Sequence, residues 1–214
     1  MALKIAYFQP TILLSDTVPP VEFSKIYNLV ESAHQHEELN DAGNPTLSVR
    51  GGQQIQLFPN DLGIDISWLT KWFEEACRGY MELVIAQSGT DELKYVDPKV
   101  TSVWTIRQSQ GDYQAMHHHP GGHISGNVYI TAPDYDDDKT VTDGNIYFRL
   151  PQSKDVTKFV MHDSWKYEGD PGTFVVFPSH IPHTVYPWKG TGFRTVLAFD
   201  AMLVPKPELL NGQS

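Results

Sequence analysis

Four of the nine histidines fall within seven residues, His117, His118, His119 and His123, and two more, His180 and His183, follow a later apolar segment. On an extended strand, residues two apart share a face, so His117 and His119 can converge on one point while His118 looks away. Two imidazoles from one strand edge and a third, His183, from a distant strand suit a divalent Fe, Zn, Cu or Ni ion and leave coordination positions for chemistry. His123 stays open between a fourth ligand and a group that holds another imidazole in place. His34, His36 and His162 stand in polar contexts that read as exposed, and no role attaches to them.

Arg194 lies eleven residues beyond His183, at the head of the apolar run RTVLAF. A guanidinium set among core strands needs a partner, and its planar fork matches a carboxylate through two parallel hydrogen bonds. An arginine on a surface strand would need no such partner, but the apolar flanks argue against that. If His183 binds a metal, Arg194 on the next strand sits about one small molecule away.

The elements that must carry these residues change character along the chain. Leu3, Ile5 and Tyr7 alternate as a short strand would, and a first helix is predicted over Val21–His36, with Phe23, Ile26, Val30 and Ala33 on one face. After the turns at Gly43-Asn44-Pro45 and Gly51-Gly52, GGQQIQLF alternates as a strand. A second helix is predicted over Ile66–Gln87 with Asp65 as its N-cap, and its Trp68, Leu69, Trp72, Phe73, Ala76, Tyr80 and Leu83 stripe reads as core. From Lys99 onward, segments of five to nine residues rich in Val, Thr and aromatics are separated by Gly, Pro and Asp turns. They are VTSVWTIRQ, YQAMHHH, ISGNVYITA, GNIYFRLP, GTFVVFPS, HTVYPW and RTVLAFD. Many short strands with little helix potential predict an antiparallel sandwich or barrel with helices packed outside it. The chain then reads as one domain, residues 1–98 supporting a β core over 99–200.

Composition narrows the function classes. The 214 residues carry 26 acidic and 16 basic side chains, a formal charge of −10, which disfavours duplex nucleic acid as a ligand. No apolar run approaches the ~20 residues of a membrane helix, and the start lacks the apolar core of a signal peptide. With Cys77 as the single cysteine there is no internal disulfide, so a cytoplasmic compartment is expected. The acidic run Asp134–Asp138 reads as a solvated loop that would at most favour a cationic substrate or peptide. An exposed share of the Trp68/Trp72 stripe would indicate a homodimer.

The second half of the chain resembles the uncharacterised 2-oxoglutarate/Fe(II)-dependent oxygenases reported from marine bacteria and cyanophages. The resemblance rests on Trp104, Gly111-Asp112, His117/His119-Pro120-Gly121, Ser125-Gly126, Tyr129, Gly144, Phe148, Phe177-Pro178-Ser179, His183 and Arg194. SVRGGQQIQLF is similar to the family's Gly-Gly-Trp-Gln stretch, with Gln53 in place of the tryptophan, so the likeness spans about 48–200. It implies a mainly β fold with flanking helices, a double-stranded β-helix (jelly-roll, cupin-like) core, in which His117, His119 and His183 hold Fe(II). His119 stands where the wider superfamily has a carboxylate. By the same likeness Arg194 grips the distal carboxylate of 2-oxoglutarate, with Tyr129, Asn127 and Ser125 on the adjoining strand sharing one inward face. Dioxygen would then be used to hydroxylate a small-molecule or peptide substrate that the sequence does not name.

Two other readings compete. A cupin-type dioxygenase or isomerase would use the same three histidines without 2-oxoglutarate; Gly111 to His119 and Gly172 to His183 fit its two motifs, but His123 and His180 replace a glutamate and a glycine, and Arg194 has no task. A non-enzymatic β-barrel binding module is compatible with the acidic surface and aromatic content.

Overall fold

The computed structural model describes residues 13–36, 39–40, 48–59, 64–89, 91–137, 140, 143–149 and 164–207. The expected strand around Leu3–Tyr7, the Gly43–Pro45 turn, Asp138 and His162 lie outside the described residues. In chain order the elements are β1 (Leu14–Thr17), α1 (Pro20–Ala33), β2 (Val49–Arg50), β3 (Gln53–Phe58) and α2 (Ser67–Ser88). A short 3-10 turn, Glu92–Tyr95, leads into β4 (Val96–Gln108), β5 (Tyr113–His117), β6 (Ile124–Thr131), β7 (Asp134–Tyr135) and β8 (Ile146–Arg149). The last five are β9 (Ser164–Tyr167), β10 (Thr173–Pro178), β11 (His183–Val185), β12 (Gly190–Thr191) and β13 (Arg194–Pro205).

The strands form a six-stranded antiparallel sheet in the order β1-β10-β6-β13-β4-β3 and a five-stranded one in the order β2-β5-β11-β8-β9, with β12 and β7 as a separate ribbon. From β4 onward the chain passes back and forth between the two sheets, which is the winding of the expected double-stranded β-helix. Strand alternation gives the large sheet two apolar faces. Val128 and Ile130 of β6, Phe174 and Val176 of β10 and Leu197 and Phe199 of β13 pack toward α1 and α2, where Phe73 stacks on Phe199 at 4.2 Å. Their neighbours Tyr129, Val175, Phe177 and Val196 face the small sheet and meet its Ile146, Phe148 and Val185.

Both helices form where the apolar periodicity places them, with shifted ends. α1 stops at Ala33, short of His36, and Ile66 occupies the N-cap of α2; Asp65 still accepts the Ser67 N–H at 2.9 Å. Trp68 and Trp72 are partly buried against the core, Trp72 edge-on to Phe174. The expectation that His34 is exposed is overturned. It is buried, its ring nitrogens 3.0 Å from Gln53 Oε1 and 3.0 Å from Thr105 Oγ1. Ending α1 at Ala33 turns the imidazole onto the outer face of β3 and β4, and the polar residues around it in sequence gave no sign of that packing. Burial, then the nearby Arg107 charge, push its pKa down to about 4.

The Gly51-Gly52 turn delivers β3 to the edge of the large sheet. Both glycines have positive φ, and a Cβ on Gly52 would lie 2.3 Å from the Arg107 carbonyl oxygen, so no other residue fits that approach. Once β3 is paired with β4, Ile55 and Leu57 point to the helices, while Gln54 and Gln56 line the space between the sheets.

Candidate metal centre

His117 ends β5 and His183 begins β11, directly paired across the small sheet. His119 is beyond the end of β5, so it does not reach the site by strand alternation; the turn carries it there. Its backbone N–H donates to the Ser179 carbonyl at 2.9 Å, and the next turn is fixed by Ser179 N–H to the His123 carbonyl at 3.1 Å and His123 N–H to the Ala201 carbonyl at 2.9 Å. A Cβ at Gly122 would lie 2.8 Å from Ser179 Oγ, so a larger residue in this turn would push aside the hydroxyl that bonds Ser125. The three rings end 4.2 to 5.2 Å apart between centroids, and one nitrogen from each lies within 4.8 Å of the others.

Hydrogen bonding decides which nitrogens face inward. His117 Nδ1 lies 2.8 Å from the Ala115 carbonyl and His183 Nδ1 2.9 Å from the Ile181 carbonyl. A carbonyl oxygen only accepts, so both Nδ1 atoms carry the proton and leave Nε2 as a bare lone pair. His119 Nδ1 donates to the Asp200 carboxylate at 2.6 Å with the same consequence. Burial holds the His117 pKa down to about 4, and burial, then the neighbouring imidazoles, hold that of His183 well below its usual value. Three imidazoles that turn Nδ1 outward to an acceptor and Nε2 toward one another form a donor set for a divalent transition ion.

Asp200 is the functional residue that sequence reasoning left without a role. Its Oδ1 also accepts from Ser125 Oγ at 2.6 Å, and Ser125 lies 2.8 Å from Ser179 Oγ. Ser125 has one hydroxyl hydrogen and gives it to Asp200, so Ser179 donates to Ser125. The chain His119–Asp200–Ser125–Ser179 closes on the turn that positions His119 and brings a negative charge to a candidate site whose three ligating groups include no carboxylate. The visible signal was period two: Asp200, Ala198 and Val196 share the inner face of β13 with Ser125, Asn127 and Tyr129 of β6.

A pocket of about 300 Å³ opens beside the triad, lined by Gln54, Gln56, Trp104, Asn127, Ala198 and Asp200 among others. Trp104 lies 5.4 Å from the His119 ring. Arg194 and Tyr129 do not line it; they stand farther along the same inner faces, where Arg194 is buried. Its Nε donates to the Gly144 carbonyl at 2.8 Å, its Nη1 to Gln108 Oε1 at 3.0 Å, and the guanidinium lies 5.6 Å from the Tyr129 ring centre. Burial lowers the Arg194 pKa and raises that of Tyr129, which stays protonated. Among the described residues no carboxylate pairs with Arg194, and the neighbouring Gln108 Nε2 and Tyr129 Oη are buried without a hydrogen-bond partner. A buried cation beside two unused donors is a fitting receptor for an anion. His118, His123 and His180 are exposed, and His123 Nδ1 accepts the Leu203 N–H at 2.9 Å, so none of the three joins the triad.

Solved structures share this fold at low identity. A Pseudomonas putida prolyl-4-hydroxylase is 15% identical with a TM-score of 0.54, over 90% of this chain and 93% of its own. An oxidoreductase of the 2OG-Fe(II) oxygenase family from Burkholderia pseudomallei is 13% identical with a TM-score of 0.55, over 87% and 83%. The collagen prolyl hydroxylase of Paramecium Bursaria Chlorella virus-1, solved as a 2OG complex, is 12% identical with a TM-score of 0.50, over 88% and 94%. These likenesses show the double-stranded β-helix. No curated protein matches the sequence. Among the described residues, no helix is long and apolar enough to cross a membrane. The segment 102–200, just under half of the chain and the part that holds the triad, Asp200 and Arg194, matches the family described as "Putative 2OG-Fe(II) oxygenase".

Proposed function

We propose that this protein is a 2-oxoglutarate- and Fe(II)-dependent hydroxylase. The observation that carries the reading is the pairing, inside one β-helix, of three inward Nε2 atoms with a buried arginine that has no carboxylate partner among the described residues. His117, His119 and His183 would hold the iron. Arg194 would bind the distal carboxylate of 2-oxoglutarate, with Gln108 Nε2 and Tyr129 Oη as further donors. Asn127, on the same face as Tyr129 and lining the pocket, stands between the two groups. When bound, iron and 2-oxoglutarate supply the oxidising power: dioxygen is reduced, succinate and carbon dioxide leave, and a substrate C–H bond gains oxygen.

The protein's share is positional. The Ala115 and Ile181 carbonyls and the Asp200 carboxylate keep the three rings in the tautomer that binds metal. The Asp200 carboxylate on His119 Nδ1 would offset part of the ion's charge through the ring. Val196, Ile106 and Phe177 keep the space between the sheets dry, which strengthens the Arg194 interaction with an anion. The cupin alternative uses the same triad but leaves Arg194 and its two idle donors without a purpose.

The test is succinate release from 2-oxoglutarate by the iron-loaded protein. Succinate should form with wild type, at least slowly without substrate, and fall to background in His183→Ala and Arg194→Met. No succinate from iron-loaded protein under any tested substrate would overturn the reading.

A further inference from the structure

The pocket wall away from Asn127 is built by β3 and β4, and its chemistry is unlike that of a site for a charged molecule. Gln56, Trp104, Ala198 and Asn127 form one row straight across the sheet, and Gln54 stands diagonally beside Trp104. Among the described residues, no lysine, arginine or glutamate lines the pocket. The one carboxylate among the described lining residues, Asp200, is tied through Oδ1 to His119 and Ser125. The acidic residues Asp134, Asp136 and Asp137 are not part of the lining, so the loop that would favour a cation is elsewhere.

Gln54 is the exception within this wall. Gln56 donates to Ser102 Oγ at 2.7 Å, and Gln114 reaches Ser48 Oγ at 3.4 Å. Gln54 is nine-tenths buried and lines the pocket; among the described residues its side chain has no hydrogen-bond partner, and its backbone N–H donates to Asn40. Its amide atoms are not sealed in the core but open on the pocket, where both the oxygen and the NH2 can pair with a molecule that enters.

We propose that the substrate presents an uncharged carboxamide, paired with the Gln54 side chain and lying on the Trp104 ring; this deepens the hydroxylase reading and rests on it for the chemistry after binding. A carboxamide holds an acceptor and a donor side by side in one plane, and its in-plane complement is another amide. The Trp104 face provides a flat apolar surface beside His119, and Ala198, the smallest side chain in the row, leaves the space next to it open. Among the described residues, a carboxylate finds no cationic side chain in the lining.

The experiment measures binding by ligand-observed NMR, without oxygen, to the full protein loaded with Fe(II) and 2-oxoglutarate. The probes are isobutyramide, isobutyrate, isobutylamine and the polyol erythritol. Gln54→Leu should weaken isobutyramide about ten-fold while changing the other three by less than about two-fold. Gln54→Glu, of the same shape, should shift the preference toward isobutylamine. Unchanged isobutyramide affinity in Gln54→Leu, equal losses for all probes, or an erythritol loss as large as that of the amide each contradict the proposal. Because no turnover is read, a failure to form succinate would overturn the hydroxylase reading and leave this result standing.

Discussion

His119 Nδ1 donates to Asp200 Oδ1 at 2.6 Å, across the seam between a turn of the small sheet and the last strand of the large one. In the proposed site the pair would explain how a third histidine serves where the family resemblance leads one to expect a carboxylate. The negative charge would be retained one bond network back, delivered through the imidazole rather than directly to an ion. The pair also orients the His119 ring beyond the end of its strand, where the backbone bond to Ser179 places the residue and the carboxylate aims the imidazole.

Removing that carboxylate should weaken metal binding without unfolding the protein. Asp200→Ala is expected to lower Fe(II) or Co(II) affinity by about 10–100-fold, and Asp200→Asn, which still accepts the Nδ1 proton but lacks the charge, by less. Competition against a chelator, with circular dichroism as the check on folding, measures both. Wild-type affinity in Asp200→Ala would show that the pair is only structural.

Arg194 and Gln108 should act together on 2-oxoglutarate. Arg194→Lys keeps the charge but loses the Nε bond to Gly144 and the fork geometry, so 2-oxoglutarate affinity should fall more than about ten-fold. Gln108→Leu removes both the bond that aims the guanidinium and an idle donor, and should cost less than Arg194→Lys. Equilibrium binding of 2-oxoglutarate to the Fe(II) protein without oxygen gives both values. Unaltered affinity in Arg194→Lys would remove Arg194 from the site.

His34 gives the fold a pH dependence that lies outside the metal centre. Its folded pKa is about 4, against about 6.5 when unfolded. Between those values the unfolded chain holds a proton that the folded one does not, so unfolding takes up to about one proton. The stability contribution is complete above about pH 6.5 and is lost as pH falls through about 4. Urea unfolding of metal-free protein at several pH values should show a shallower slope over this window in His34→Gln than in wild type. Parallel curves would mean that His34 is protonated in the folded state.

The sequence made the β core legible because period-two patterning and Gly/Pro turns mark strands directly, and every predicted strand from Val100 onward has its counterpart. The convergence of His117, His119 and His183 was also readable, but for an incomplete reason: alternation carries only His117, and His119 arrives by a turn tied to Ser179. Asp200 was hidden because it is 81 residues from its partner, and only the pairing of β13 with β6 together with the turn at His119 brings them together. Gln54 and Gln56 looked like ordinary strand polar residues; which face of β3 meets the site depends on its pairing with β4. His34 was misread because short-range polarity says nothing about a tertiary contact with Thr105.

The most direct measurement is a crystal structure of the iron-loaded protein with anomalous scattering at the iron edge. One ion bonded to Nε2 of His117, His119 and His183, at about 2.0–2.2 Å as imidazole–metal bonds require, with Asp200 still on His119 Nδ1, is the expected result. An ion ligated through an Nδ1 atom, bound directly by Asp200 in place of His119, or found away from the triad would contradict it.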